Sequence, residues 1–221
     1  MKLEMLTDII ICIACMISTI YGFVSILITK KGLYIKMVVL AIACMMISRI
    51  NIVIQYLTNG TELQGYHVGL LGVIGCFLFL LSSNYGEMDR LVDDGSSEYT
   101  KYRLLSWIAP IVLLTIYSQV FLSNGSHSRT AICTVAMLFL AIAARFHFKH
   151  LIFPDVDYGI IRCIRGYNVV ALVLCLATTL MMMADVLENS VIFFVAGIVM
   201  ALCCLIMLPL LQKEVAKWTT I

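Results

Sequence analysis

Seven apolar runs divide this chain, and they constrain its fold more than any other feature. They cover about 6–28, 37–57, 68–86, 104–122, 131–153, 166–187 and 191–211. A helix needs roughly 20 mostly apolar residues to cross the hydrocarbon core of a bilayer. The expectation is an all-α fold: a polytopic membrane protein built as a seven-transmembrane helix bundle. Composition agrees, with 62% of residues hydrophobic and 13% charged, against about 45–50% and about 25% in soluble domains. No Pro/Gly/Ser-rich linker interrupts the chain and it has only three prolines, so residues 1–221 read as a single domain. The first run lacks the basic start and the small-residue cleavage site of a removable leader.

Lys and Arg between the runs set an orientation. The 29–36, 87–103 and 145–165 segments and the tail after 211 hold twelve of them, while the opposite side holds only Lys2 and Arg129. Basic residues stay on the cytoplasmic side, which places the N-terminus outside and the C-terminus in the cytoplasm. Two outer connections contain Asn59-Gly60-Thr61 and Asn124-Gly125-Ser126. They match the glycosylation pattern but read better as turns. Eight of the nine cysteines lie in apolar runs, and Cys163 lies in a basic loop. They read as small apolar residues, with no disulfide framework, metal site or cofactor.

The connection RLVDDGSSEYTKYR, Arg90 to Arg103, is the densest charged stretch. It reads as a cytoplasmic loop that is charged because it lies in water. Asp93-Asp94-Gly95-Ser96 is a turn, and Ser96 or Ser97 is placed to cap a short helix leading to Tyr102. Glu87, Asp89, Asp93, Asp94 and Glu98 do not follow the spacing of a calcium loop. Asp89, Arg90, Asp93, Asp94 and Arg103 are the candidate docking residues for a cytoplasmic partner.

Arg49 is the one cation deep within a run. It lies twelve residues after Met37, hence roughly 18 Å in at about 1.5 Å per residue. An arginine there costs about 2.5–3.5 kcal/mol on insertion scales, so it must find a partner. Asp185 and Asp8, near the outer ends of other runs, are the candidate counter-charges. Ser48, Asn51 and Gln55 add a polar stripe. Arg49, Asn51, Gln55 and Asp185 form the candidate ligand pocket, with a structural ion pair as the rival reading. His147 and His150 read as interfacial rather than metal-binding, with Phe146 and Phe148 as interfacial anchors. Small residues at Ser18, Gly22 and Ser25, at Gly69, Gly72 and Gly75, and at Gly197 and Ala201 give faces for close helix approach. Pro110 and Pro209 are expected to bend or weaken their helices.

No lysine sits midway along the seventh run, and there is no phosphate loop, GxSxG or HExxH, so the chain reads as a non-enzyme. The basic residues form no nucleic-acid stripe. FLFLLSSNYGEMDR followed by YRLLSWIAPIVLL gives an aromatic-ended third span, a charged loop and a fourth span with Pro110. This organisation resembles the seven-helix N-terminal sensor region of bacterial histidine kinases and related input modules. The sequence closes at Ile221 without the kinase or cyclase of such proteins, so no catalytic residue carries over. The resemblance implies an inner-membrane sensor that acts on a cytoplasmic signalling enzyme in trans. The expected partners are the lipid bilayer, that enzyme and a second copy as a homodimer. The segment after Pro209 would be the output lever. The rival readings are a small-solute transporter or channel and an accessory membrane subunit.

Overall fold

The structure is a computed structural model, and it describes residues 3–29, 31–59, 68–85, 87–122, 127–154 and 160–218. Among the described residues there is no strand. The first helix, α1 (Leu3–Gly22), runs on into a π turn at Phe23–Leu27. Then come α2 (Leu33–Asn59), α3 (Gly69–Asn84), α4 (Glu87–Val92), a 3₁₀ turn at Ser97–Tyr99, α5 (Thr100–Leu105), α6 (Ile108–Tyr117) and α7 (Gln119–Leu122). The chain ends with α8 (His127–Ile152), α9 (Ile160–Cys163), α10 (Arg165–Val186) and α11 (Ser190–Trp218). Both Asn-Gly turns of the outer connections run into residues outside the described ones.

Among the described residues, five helices are long and apolar enough to cross a membrane: Leu3–Leu27, Leu33–Thr58, Ala131–Ile152, Arg165–Val186 and Ser190–Lys217. The third expected span, α3, is apolar but has 16 residues, or about 24 Å at about 1.5 Å per residue. The fourth expected span is a rod made of α5, α6 and α7, interrupted at Ser106-Trp107 and at Ser118. All three junction residues keep right-handed helical backbone. The cause of the first interruption is local. Pro110 has no N–H to donate to the Ser106 carbonyl, and the Ser106 hydroxyl donates back to the Arg103 carbonyl at 2.6 Å. Pro110 thus falls in the first turn of α6, where proline is tolerated. Pro209, by contrast, sits inside an unbroken α11.

Neighbours in sequence pack as neighbours in space. α1 lies between α2 and α11, α11 packs on α10, α10 on α8, α8 on α3, and α3 back on α2. Six helices close a ring, and α6 packs outside it against α8 and α10. Ile11, Ile42, Met45, Phe77, Leu80, Met137, Leu140 and Leu174 fill the interior. Ile17, Ile20, Val24, Ile54, Ile111 and Leu202 face outward, as they would toward lipid.

Between helices in lipid the apolar surfaces gain little from burial, so close contact decides association. A Cβ at Gly72 would lie 2.6 Å from the Cys44 carbonyl oxygen and 2.7 Å from Ser48 Cβ, which is why α3 can lie so near α2. A Cβ at Gly197 would run into the Thr7 side chain of α1. The turn from α10 to α11 is equally specific. Glu188 takes φ 54°, Asn189 N–H donates to the Ala184 carbonyl at 2.9 Å, and Asn189 Oδ1 accepts from Ile192 N–H at 3.1 Å. That last bond caps α11.

Candidate functional site

Two buried polar sites lie at opposite ends of the bundle. At one end, Arg49 of α2 meets Asp8 of α1, Nη1 to Oδ1 at 2.7 Å, with side chains 7% and 2% exposed. Arg49 Nε and Ser48 Oγ are buried without hydrogen-bond partners. The counter-charge is therefore Asp8, not Asp185. The reason is the ring order: α1 is a neighbour of α2, whereas Asp185 is carried by α10, on the far side of α11. Asp185 lies half-buried in the last turn of α10. Gln55 Nε2 donates to Asn51 Oδ1 at 3.0 Å, along the outer flank of α2. The four expected ligand residues thus divide into a sealed ion pair, a local amide pair and Asp185. A groove of about 320 Å³ between α10 and α11 is lined only by apolar side chains, among them Val173, Leu180, Val191 and Val199, and by none of those four.

At the other end, the charged connection folds back on the bundle. Lys149, in the last turn of α8, reaches Asp89 Oδ1 and Asp93 Oδ2, each at 2.7 Å. Arg103 of α5 closes on the far side of Asp93 with Nε to Oδ2 and Nη2 to Oδ1, both 2.8 Å, and Nη2 also reaches the Ser96 carbonyl at 2.6 Å. His150 Nε2 lies 3.4 Å from Asp89 Oδ1. These groups are not in open water: Lys149 is 6% exposed and Asp93 7%. The expectation of a solvated loop is corrected here for Asp93, while the Asp89 and Arg103 side chains stay 23% and 26% exposed at its edge. Asp94 alone of the described set is exposed, and it accepts from Ser96 N–H at 2.8 Å. The side chain of Arg90 lies outside the described residues.

The turn at 93–96 forms as expected, with Asp93 Oδ1 accepting from Gly95 N–H at 3.1 Å and Gly95 at φ 85°. No serine side chain caps the helical turns that follow. Tyr99 and Tyr102 instead pack on Phe153, with ring centroids at 5.6 and 5.7 Å. Burial alone would raise the Asp93 carboxyl. Hydrogen bonds from Arg103, Lys149 and the Gly95 N–H outweigh it and hold the group well below the usual carboxylate range. Asp89 shows the same balance, with burial opposed by hydrogen bonds from His150 and Lys149, and is also lowered.

A second polar layer lies beneath. His147 is fully buried between Asn84 of α3 and Asn168 of α10. A tautomer protonated at Nδ1 donates to Asn168 Oδ1 at 2.9 Å and accepts from Asn84 Nδ2 at Nε2, 3.1 Å away. Ser83 Oγ and the Tyr167 hydroxyl are 3.3 Å apart. Glu214 of α11 accepts from Tyr167 N–H at 2.9 Å, capping α10 from another helix, and a Cβ at Gly166 would run into it. The expected output lever after Pro209 is thus tied to the start of α10. His147 is structural core and not an interfacial residue, and Phe146 is buried under Tyr85, with centroids 5.6 Å apart. Sequence reading missed Asn84, Lys149, Asn168 and Glu214. Their signal was polar residues at span ends, which looks the same as ordinary interface composition.

Among the described residues, no group of three or more His, Cys, Asp or Glu is arranged to hold a metal ion. The junction can do two things chemically. It holds a loop by opposite charge, and it responds to whatever competes for Lys149 or Arg103. Compared with protein-family models, curated proteins and solved structures, the chain matches none of them.

Proposed function

We propose that this chain is a seven-span inner-membrane protein of the sensor-input type, with its N-terminus outside and the α4 end in the cytoplasm. In this reading α3 and the α5–α7 rod complete the spans. The loop from α4 to α5 passes a signal to a cytoplasmic signalling enzyme in trans. One observation carries the reading: Lys149 holds Asp89 and Asp93 of that loop together, with Arg103 on the far side. Charge contacts of this kind exchange partners when a competing charged surface docks. A shift of α8 or α5 would alter the loop without unfolding a helix.

The test is a crosslinked pull-down from the source membrane with mass spectrometry. The reading expects a kinase, cyclase or similar enzyme that is captured differently from an Asp93→Asn chain. It is lost if the chain is recovered alone in both cases. A tag placed after Ile221 and exposed on the outer surface of intact cells would reverse the orientation. The buried Arg49–Asp8 pair favours a second reading, a small-solute transporter or channel, because charges inside membrane bundles mark solute paths. Solute flux through reconstituted vesicles, abolished in Arg49→Ala, would select it.

A further inference from the structure

Arg49 lies deep in its helix, and Arg145 and Lys149 lie in the last two turns of α8. Arg49 and Lys149 each have a carboxylate at 2.7 Å. Arg145 has none among the described residues. Its guanidinium stacks on the Trp107 ring, 4.2 Å from the centroid. Its Nε donates to Ser106 Oγ at 3.3 Å. The remaining N–H groups reach no described acceptor, and they are not sealed from the outside. Asp89, the acid whose field reaches it, is already held by Lys149 and His150.

The surroundings name the missing partner. Arg145 ends an outward apolar stripe on α8, after Leu138 (52% exposed) and Ile142 (38%). Trp107 begins another on α6, followed by Ile111 (61%). α6 and α8 pack side by side. A partly buried guanidinium whose remaining donors meet no described acceptor therefore heads a pair of apolar tracks. An arginine is charged at every accessible pH and offers a planar fork that fits phosphate. Trp107, 44% exposed, belongs to the interfacial aromatic class.

We infer that Arg145 and Trp107 form a binding site for the headgroup phosphate of an anionic phospholipid, whose acyl chains run along Leu138, Ile142 and Ile111. The inference rests on the membrane placement of the chain and not on its signalling role.

The chain has two tryptophans, so Trp218→Phe leaves Trp107 as the reporter. The full chain is placed in phosphatidylcholine bilayers and titrated with brominated phosphatidylglycerol or brominated phosphatidylcholine. Half-quenching is expected at about five-fold lower mole fraction of the anionic lipid. Arg145→Gln should erase that difference. Arg145→Lys should keep part of it, because the charge remains and the stacked fork does not. Equal quenching by the two lipids with Arg145 in place overturns the inference, even where the glutamine variant fails to assemble. A preference that survives Arg145→Gln also overturns it. So does a preference abolished by excess inorganic phosphate, which would assign the site to a free anion. No quenching by either lipid would sink the membrane placement itself.

Discussion

At the Asp8 end, one arginine meets one carboxylate across two neighbouring helices. At the α4 end, one lysine meets two carboxylates of a loop that Arg103 also holds. The first arrangement rests on one cation from one helix. Removing either partner strands a charge among apolar side chains, where little can compensate it. The second distributes the charge over several donors on three elements. Each carboxylate that loses one bond keeps another, and the site borders water. Buried charge is thus a fixed rivet at one end and an exchangeable clasp at the other. This difference in the number of cations is why the signalling proposal rests on the clasp.

The comparison breaks most readily at the rivet. Asp8→Ala or Arg49→Ala should each cost about 3–5 kcal/mol, while an apolar pair such as Asp8→Leu with Arg49→Met should cost far less. Thermal unfolding in detergent of the two single variants and the double would read this. Equal losses in all three would mean that the carboxylate and guanidinium do not depend on each other. At the clasp, Lys149→Met should cost only about 1–3 kcal/mol, because Arg103 keeps Asp93 satisfied. Its main signature should be faster hydrogen exchange in α4. If α4 stays as protected as before, Lys149 does not hold the loop.

Close packing gives a control away from both charges. Gly72→Leu should cost about 1–3 kcal/mol by forcing α3 off α2, and an unchanged melting temperature would contradict that contact. Asn189→Ala should cost about 1 kcal/mol as a lost helix cap, seen as fraying of the first turn of α11. Acid gives the smallest and most selective effect. Asp89 and Asp93 are lowered from an ordinary value of 3.8, so their contribution is whole above about pH 5 and fades as pH falls through the folded-state values. Exchange in α4 should accelerate on acidification while α10 holds. A loop that loosened toward alkaline pH instead would mean that the carboxylates are not the groups responsible.

Much of this was legible because helix periodicity and apolar length are local properties. Five long apolar helices, the turn at 93–96, the close approach at Gly72 and Gly197 and the need of Arg49 for a carboxylate all followed from neighbours in sequence. Which carboxylate did not, because Asp8 and Asp185 stand equally near the ends of their runs. The burial of Asp93 was hidden for the opposite reason. Five acids and three basic residues within a short loop look the same whether they face water or the end of α8. His147 was read as an interface residue because composition carries no depth.

The sequence by itself determined that the chain is helical and apolar, where its helices run, and that a buried arginine requires a counter-charge, since these depend on the free energy of placing each side chain in its own segment. Only the tertiary structure decided that α1 supplies the carboxylate, that the loop's acids turn inward onto Lys149, and that Arg145 is left with a tryptophan beneath it and, among the described residues, no acid paired with it. Those outcomes depend on the order of helices around the ring, and many different orders are compatible with the same seven apolar runs.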